Sequence, residues 1–345
     1  MSEPGATLLT VQHDGAVSAI AFSPDSTLVA SGGGSMTVAL SPVGAGQERR
    51  IESLGFVSDL AFSPDGTRLA VADLDQVAVF EVATGAAVWR GPVQAERSVN
   101  TVAFTPAGDL LVVTTDDHVF VLNAATGSRD REIAVEPTIA DADLSLDGRL
   151  IALAIDKRHG ANHINAGAAA VVELETGAER SRFTPGNAVF AIAFSPEKPD
   201  PLVLFGSADN TTRMIGSSSG EEVWEERVET GASSIAFDPK GRWVVVGSAD
   251  GAAIVLEAES GVPSDGKVAF DGAVTHVAFA GNGKWAAATG FGDPDQRLVV
   301  FNAESGTKRY ALPIEECLAL SFSPDSRWLG VGHFNTAVIL DNGTP

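Results

Sequence analysis

The chain of 345 residues has a single cysteine, Cys317, so it can form no disulfide within itself and no multi-cysteine metal site. It is also poor in positive charge. Lys and Arg number 23 against 45 Asp and Glu, a formal net charge of −22 with a pI near 4.5. That sign argues against a nucleic-acid partner, because phosphate binding needs a basic face. It suits a basic protein or peptide partner, or solubility alone. Long apolar runs are missing as well: stretches such as Trp243 to Val246 are a few residues long, far short of the roughly 20 needed to cross a bilayer. The start, MSEPGATLLTVQHDG, has neither a basic n-region nor a long apolar h-region. No signal peptide and no membrane contact are therefore expected, and the protein is expected in the cytoplasm. Nucleophile elbow, P-loop and HExxH are all absent. Asp116 with Asp117, and Asp293 with Asp295, sit in polar turns without the DxDxDG register of a calcium loop. No residue pattern marks a catalytic centre, a metal site or a cofactor site.

What the chain does have is a globular composition, 44% hydrophobic and 20% charged, and a repeat. Versions of Ala61-Phe62-Ser63-Pro64-Asp65-Gly66 occur eight times. The others are AFSPDS from Ala21, AFTPAG from Ala103, DLSLDG from Asp143, AFSPEK from Ala193, AFDPKG from Ala236, AFAGNG from Ala278 and SFSPDS from Ser321. The markers Phe22, Phe62, Phe104, Leu144, Phe194, Phe237, Phe279 and Phe322 are separated by 40, 42, 40, 50, 43, 42 and 43 residues. A period in the low forties, each unit made of short β runs, points to propeller blades.

Each repeat reads as four strands. In the second, Val57 to Phe62 alternates apolar residues, and Pro-Asp-Gly turns the chain because Pro presets φ and Gly accepts a positive one. Arg68 to Ala72, Gln76 to Phe80 and Ala87 to Trp89 follow, separated by polar turns. The ends decide the closure. After Phe322 the chain supplies two more strands and then stops, while Leu8 to Gln12 stands unclaimed before the first marker. The expected architecture is all-β: an eight-bladed β-propeller of four-stranded antiparallel blades, closed by the N-terminal strand completing the last blade. Its blades are placed at 15–54, 55–95, 96–136, 137–186, 187–229, 230–271, 272–314, and 315–345 plus 7–14.

These repeats resemble the WD-repeat family, in the AFSPDG turn and in segments such as Gly247-Ser248-Ala249-Asp250-Gly251. The resemblance covers nearly the whole chain, but the repeats are degenerate. No third strand ends in Trp-Asp; Phe80-Glu81, Leu122-Asn123, Leu256-Glu257 and Phe301-Asn302 stand there instead. Only His13, nine residues before Phe22, occupies the place of the family's histidine. The family's buried His-Ser-Asp-Trp hydrogen-bond network is expected to be largely absent, leaving apolar burial between sheets to hold the blades.

Function is sought where the blades differ. Eight residues before the marker stand Asp14, Glu96, Glu136, Glu229 and Asp271, with Glu315 one place later in the last blade. At the entry to each innermost strand these acids would ring one mouth of the channel and favour a cationic tail or cation; turn chemistry alone is the plain alternative. Blade 4 is longer by an insertion, Asp156 to Gly167, that gathers Lys157, Arg158, His159 and His163. It could grip an acidic segment of a partner, or be a tolerated surface loop. Two histidines without an evident third ligand make a poor metal site. Trp89 and Trp224, each four residues after a turn glycine, resemble the tryptophan-docking motif of eight-bladed quinoproteins, although packing between blades explains them as well. The expectation is a non-enzymatic, monomeric protein-interaction scaffold for a partner with a basic segment. The alternative is a quinoprotein-like or lactonase-like enzyme using the channel mouth.

Overall fold

The structure, a computed structural model, describes residues 3–53, 55–93, 98–135, 138–156, 167–196 and 200–343. It is a β-propeller of eight four-stranded antiparallel blades. Among the described residues the only helical piece is a 3-10 turn, Pro294–Gln296, capped by the Asp293 side chain. The first strands of the blades are Val17–Phe22, Val57–Phe62, Val99–Phe104, Ile139–Leu144, Val189–Phe194, Ala232–Phe237, Val274–Phe279 and Ala319–Phe322. The N-terminal strand Thr7–Gln12 pairs antiparallel with Thr336–Asp341 and completes the last blade. Val11, 1% exposed, anchors it. Two compact units contain the blades: Met1–Ala134 with Glu316–Pro345, and Val135–Glu315.

The turn after each first strand shows why its residues recur. Ser63 Oγ donates to Asp65 Oδ1 (2.6 Å) and accepts from the Arg68 amide (2.9 Å), while Asp65 also accepts from the Thr67 amide (3.0 Å). These bonds, Ser63's first, hold the Asp65 carboxyl down to about 2. Gly66 closes the turn at φ 71°.

Alternation of buried and exposed residues is found at the margins of the blades. In Arg129–Ala134, an outer strand, Ile133 is buried between exposed neighbours. The second strands are buried continuously instead, as in Arg68–Asp73. Sheets packed on both faces leave no solvent side on which a polar residue could alternate. The core is accordingly built between blades: Ala70, Ala72, Val77 and Val79 of blade 2 pack with Val99, Val102, Leu111, Val113 and Phe120 of blade 3.

The first strand is an edge, and its unpaired backbone groups need partners. Side chains of the preceding blade supply them. Ser18 Oγ donates to Val57 O, Ser58 Oγ to Val99 O, and Ser233 Oγ to Val274 O, at 2.7–2.8 Å. One residue further, Asp59 accepts from the Val102 amide (2.9 Å), Asp141 from Ile192 (2.9 Å) and Ser234 from Val277 (3.1 Å). Asp143 accepts from the Phe194 amide (2.7 Å). A register shift at this point of the first strand, between Val57 and Asp59 for example, coincides with the serine and the acceptor. Burial outweighs these amide bonds and raises the carboxyls of Asp59 and Asp143 to about 6.

The outer edge carries a second set of ties. Trp89 Nε1 donates to Ala124 O and Trp224 Nε1 to Ala258 O, each at 2.9 Å in the following blade. The rings lie on Gly127 and Gly261, where a Cβ would come within 2.6 and 2.7 Å of ring carbons. Both glycines have φ above 70°. Arg49 to Val82 O, Ser181 to Ser217 O and Ser264 to Ala303 O make the equivalent tie in other blades.

Candidate functional site

The unit containing blades 8, 1, 2 and 3 bears a continuous strip of loops. Backbone bonds join them in sequence: His13 N to Asn335 O (2.7 Å), Gly34 N to Ala16 O (2.8 Å), Ser53 N to Met36 O (2.9 Å), Leu74 N to Phe56 O (3.1 Å) and Val99 N to Leu74 O (2.5 Å). The turn of blade 8, the entry to blade 1, the turn of blade 1, the entry to blade 2 and the turn of blade 2 are thus neighbours. His13 fixes the strip from beneath. It is buried, and its ring bonds Ser31 Oγ through Nε2 (2.9 Å) and Ser35 Oγ through Nδ1 (3.2 Å). Burial lowers its pKa. This is a fragment of the histidine–serine network expected at His13.

Above that base, large apolar side chains face solvent: Met36 (57% exposed), Leu74 (50%), Phe334 (49%) and Phe56 (42%). Met36 and Leu74 also hold left-handed backbone, φ 53° and 51°, which costs an L-residue other than Gly or Asn about 1–2 kcal/mol. The other three-residue turns at this place in the repeat do not incur it. Gly34-Ser35-Met36 of blade 1 corresponds to Ala208-Asp209-Asn210 of blade 5 and Ala249-Asp250-Gly251 of blade 6, where Asn210 (φ 67°) and Gly251 (φ 95°) tolerate the conformation. Sequence reasoning passed over these residues. The available signal was a leucine and a methionine at turn positions that call for glycine or asparagine.

Of the acids singled out in the sequence, Asp14, Glu229, Asp271 and Glu315 are described. Each is exposed and precedes the first strand of its own blade. Glu315 Oε1 lies 3.6 Å from Arg297 Nη1; the other three have no ion-pair partner among the described residues. Asp14 belongs to the same loop strip as Met36, whereas Glu229, Asp271 and Glu315 belong to the other unit. Glu96, Glu136, Lys157, Arg158, His159 and His163 lie outside the described residues. No group of His, Cys, Asp or Glu suited to a metal occurs among the described residues, and no described helix is long and apolar enough to cross a membrane. Trp89 and Trp224, the basis of the quinoprotein resemblance, are engaged in docking one blade on the next. Asp117, in a turn, bonds the His118 ring at 2.8 Å.

Comparison with known proteins agrees with this architecture. The family WD domain, G-beta repeat, matches residues 5–40, 50–79 and 226–255. Three stretches of the chain thus match WD repeats, and the fold is an eight-bladed β-propeller. Among solved structures it is similar to Sqt1 of Chaetomium thermophilum bound to the N-terminus of the ribosomal protein L10, with TM-score 0.82 and 16% identity over 98% of this chain and 100% of that one. It is also similar to the computationally designed Ika8 protein, with TM-score 0.77 and 20% identity over 99% and 100% of the two chains. No curated protein matches it.

Proposed function

We propose that this protein is a non-enzymatic interaction platform that binds a protein or peptide carrying a basic segment. Contact would be made through the exposed acids before the first strands and through the insertion of blade 4. The observation that carries the reading is the exposure of Asp14, Glu229, Asp271 and Glu315, each shortly before the first strand of its blade, on a chain of net charge −22. Solvated carboxylates attract a cationic partner at long range and set its association rate. Sqt1, which shares the fold, is bound to the N-terminus of a ribosomal protein; a protein segment is the corresponding ligand class here. A monomeric, cytoplasmic protein fits this role.

The test is affinity capture from the native host with wild type, with Asp14→Asn/Glu229→Gln/Asp271→Asn/Glu315→Gln, and with residues 157–166 deleted. The expected partner is lost at high salt, since exposed charge pairs are screened beyond about 10 Å at 0.1 M, and is depleted by the charge variant or the deletion. A partner retained by both variants at every salt concentration refutes the reading.

A further inference from the structure

The loop strip of blades 8, 1 and 2 adds a specificity that charge alone does not provide. We infer that Met36, Phe56, Leu74 and Phe334 form a docking surface for a segment of another protein that is both apolar and basic. The inference rests on the interaction-platform reading and names its surface and ligand chemistry.

Three observations converge on it. First, the four side chains belong to loops tied to one another by backbone hydrogen bonds, so their exposure is one feature of one surface rather than scattered chance. Second, the backbone beneath Met36 and Leu74 is held left-handed, at φ 53° and 51°. Asparagine or glycine would meet that requirement without cost, and Asn210 and Gly251 do so at the place of Met36 in blades 5 and 6. A conformation that is unfavourable for the residue and also exposes it to water contributes nothing to folding. Such outliers belong where the side chain is used. Third, the loops of the strip carry acidic side chains and no basic ones, while the guanidinium groups of Arg50 and Arg90 are held at its flank on Gln12 O and Glu52 O. The described residues of these loops, 13–16, 34–36, 53, 55–56, 74–75 and 334–335, contain Asp14 and Asp75 but no Lys or Arg. Carboxylates beside apolar knobs, with Asp14 and Asp75 in the loops themselves, complement a segment that alternates apolar and basic residues and disfavour an acidic one.

The variants follow from the geometry. Met36→Gly/Leu74→Gly relaxes both left-handed residues while removing both side chains, and Met36→Asn/Leu74→Asn does the same with polar replacements. Neither alters the backbone bonds of Met36 O, Leu74 N or Leu74 O. The midpoint of thermal unfolding is expected to stay level or rise. Binding is read by fluorescence anisotropy with three labelled twelve-residue peptides: alternating Leu and Lys, the same with Ser for Leu, and the same with Glu for Lys. Wild type is expected to bind the Leu–Lys peptide most tightly, and both double variants to lose about tenfold or more of that affinity, the worth of one buried apolar side chain or more. The Ser–Lys peptide should bind weakly and equally to wild type and variants, and the Leu–Glu peptide should not bind.

Equal affinity of wild type and the double variants for the Leu–Lys peptide overturns the inference. If that equal affinity falls in Asp14→Asn/Glu229→Gln/Asp271→Asn/Glu315→Gln, the platform reading stands without it. If no peptide binds and host capture fails too, both fall. Sedimentation showing a wild-type dimer that the glycine variant abolishes also overturns the inference, because the occupant is then a second copy of this chain.

Discussion

The half-buried carboxylates between blades make stability depend on pH in an unusual direction. Asp59 titrates at about 6 in the folded protein because burial outweighs its bonds from the Val102 and Leu60 amides. Its ordinary value is 3.8. At pH 7 the group is ionised in both the folded and the unfolded chain, and the folded state bears a penalty of up to about 3 kcal/mol, at 1.36 kcal/mol per pH unit. Water still reaching the side chain makes that an upper bound. As the pH falls through 6 the folded state takes a proton that the unfolded chain does not take until 3.8. The native state therefore gains stability from about pH 6 downward, and the gain is complete below 3.8. Between pH 7 and 5 Asp59 should contribute roughly 1 kcal/mol, and Asp143, also raised to about 6, should add a similar amount. His13 acts oppositely: its lowered pKa means that stability is lost as pH falls below the ordinary histidine value of 6.5.

Asp59→Ser isolates the effect, because blade 6 already uses Ser234 at the same position to accept the Val277 amide. The variant keeps an acceptor for Val102 and removes the charge. Urea unfolding at pH 7, 6 and 5 should show wild type gaining about 1 kcal/mol more than Asp59→Ser between the extremes. Parallel stability curves for the two proteins would refute the account of Asp59.

Three structural predictions accompany it. Trp224→Ala removes a buried ring and its bond to Ala258 O, and should cost about 3–5 kcal/mol in urea unfolding. Gly261→Ala, which places a methyl 2.7 Å from that ring at φ 73°, should be destabilising in the same assay although the turn neighbours Glu259, Ser260 and Val262 are exposed. Deleting residues 1–13 exposes the edge strand Thr336–Asp341 and removes buried Val11 and His13. The shortened protein should unfold at lower temperature and self-associate more than wild type in sedimentation.

Much of the fold was legible because its signals are local. The Ser-Pro-Asp-Gly turn works through bonds spanning two to five residues, such as those of Ser63 and Asp65, so its repetition could be counted directly. The spare run at Leu8 and the missing strand after Asp341 were a matter of counting too. The candidate site was legible only in part. Acids at a fixed offset could be read from the chain, and they are exposed where described, but their offset says nothing of what stands beside them. Met36 and Phe334 are 298 residues apart by number, and no spacing rule places them on one strip. The tryptophans were readable as docking or as a cofactor wall. Only the glycine under each ring and the carbonyl at each indole nitrogen chose between these.

By itself the sequence determined the number of blades, the strands within them, the turns, and the use of the N-terminal strand to complete the last sheet. All of these follow from periodicity and from the φ preferences of individual residues. Tertiary structure decided which blade supplies an acceptor to which edge strand, which carboxylates are driven up by burial, and which exposed apolar side chains share one surface. Those properties depend on groups brought together through space from different repeats, and the field and packing they create belong to no single stretch of chain.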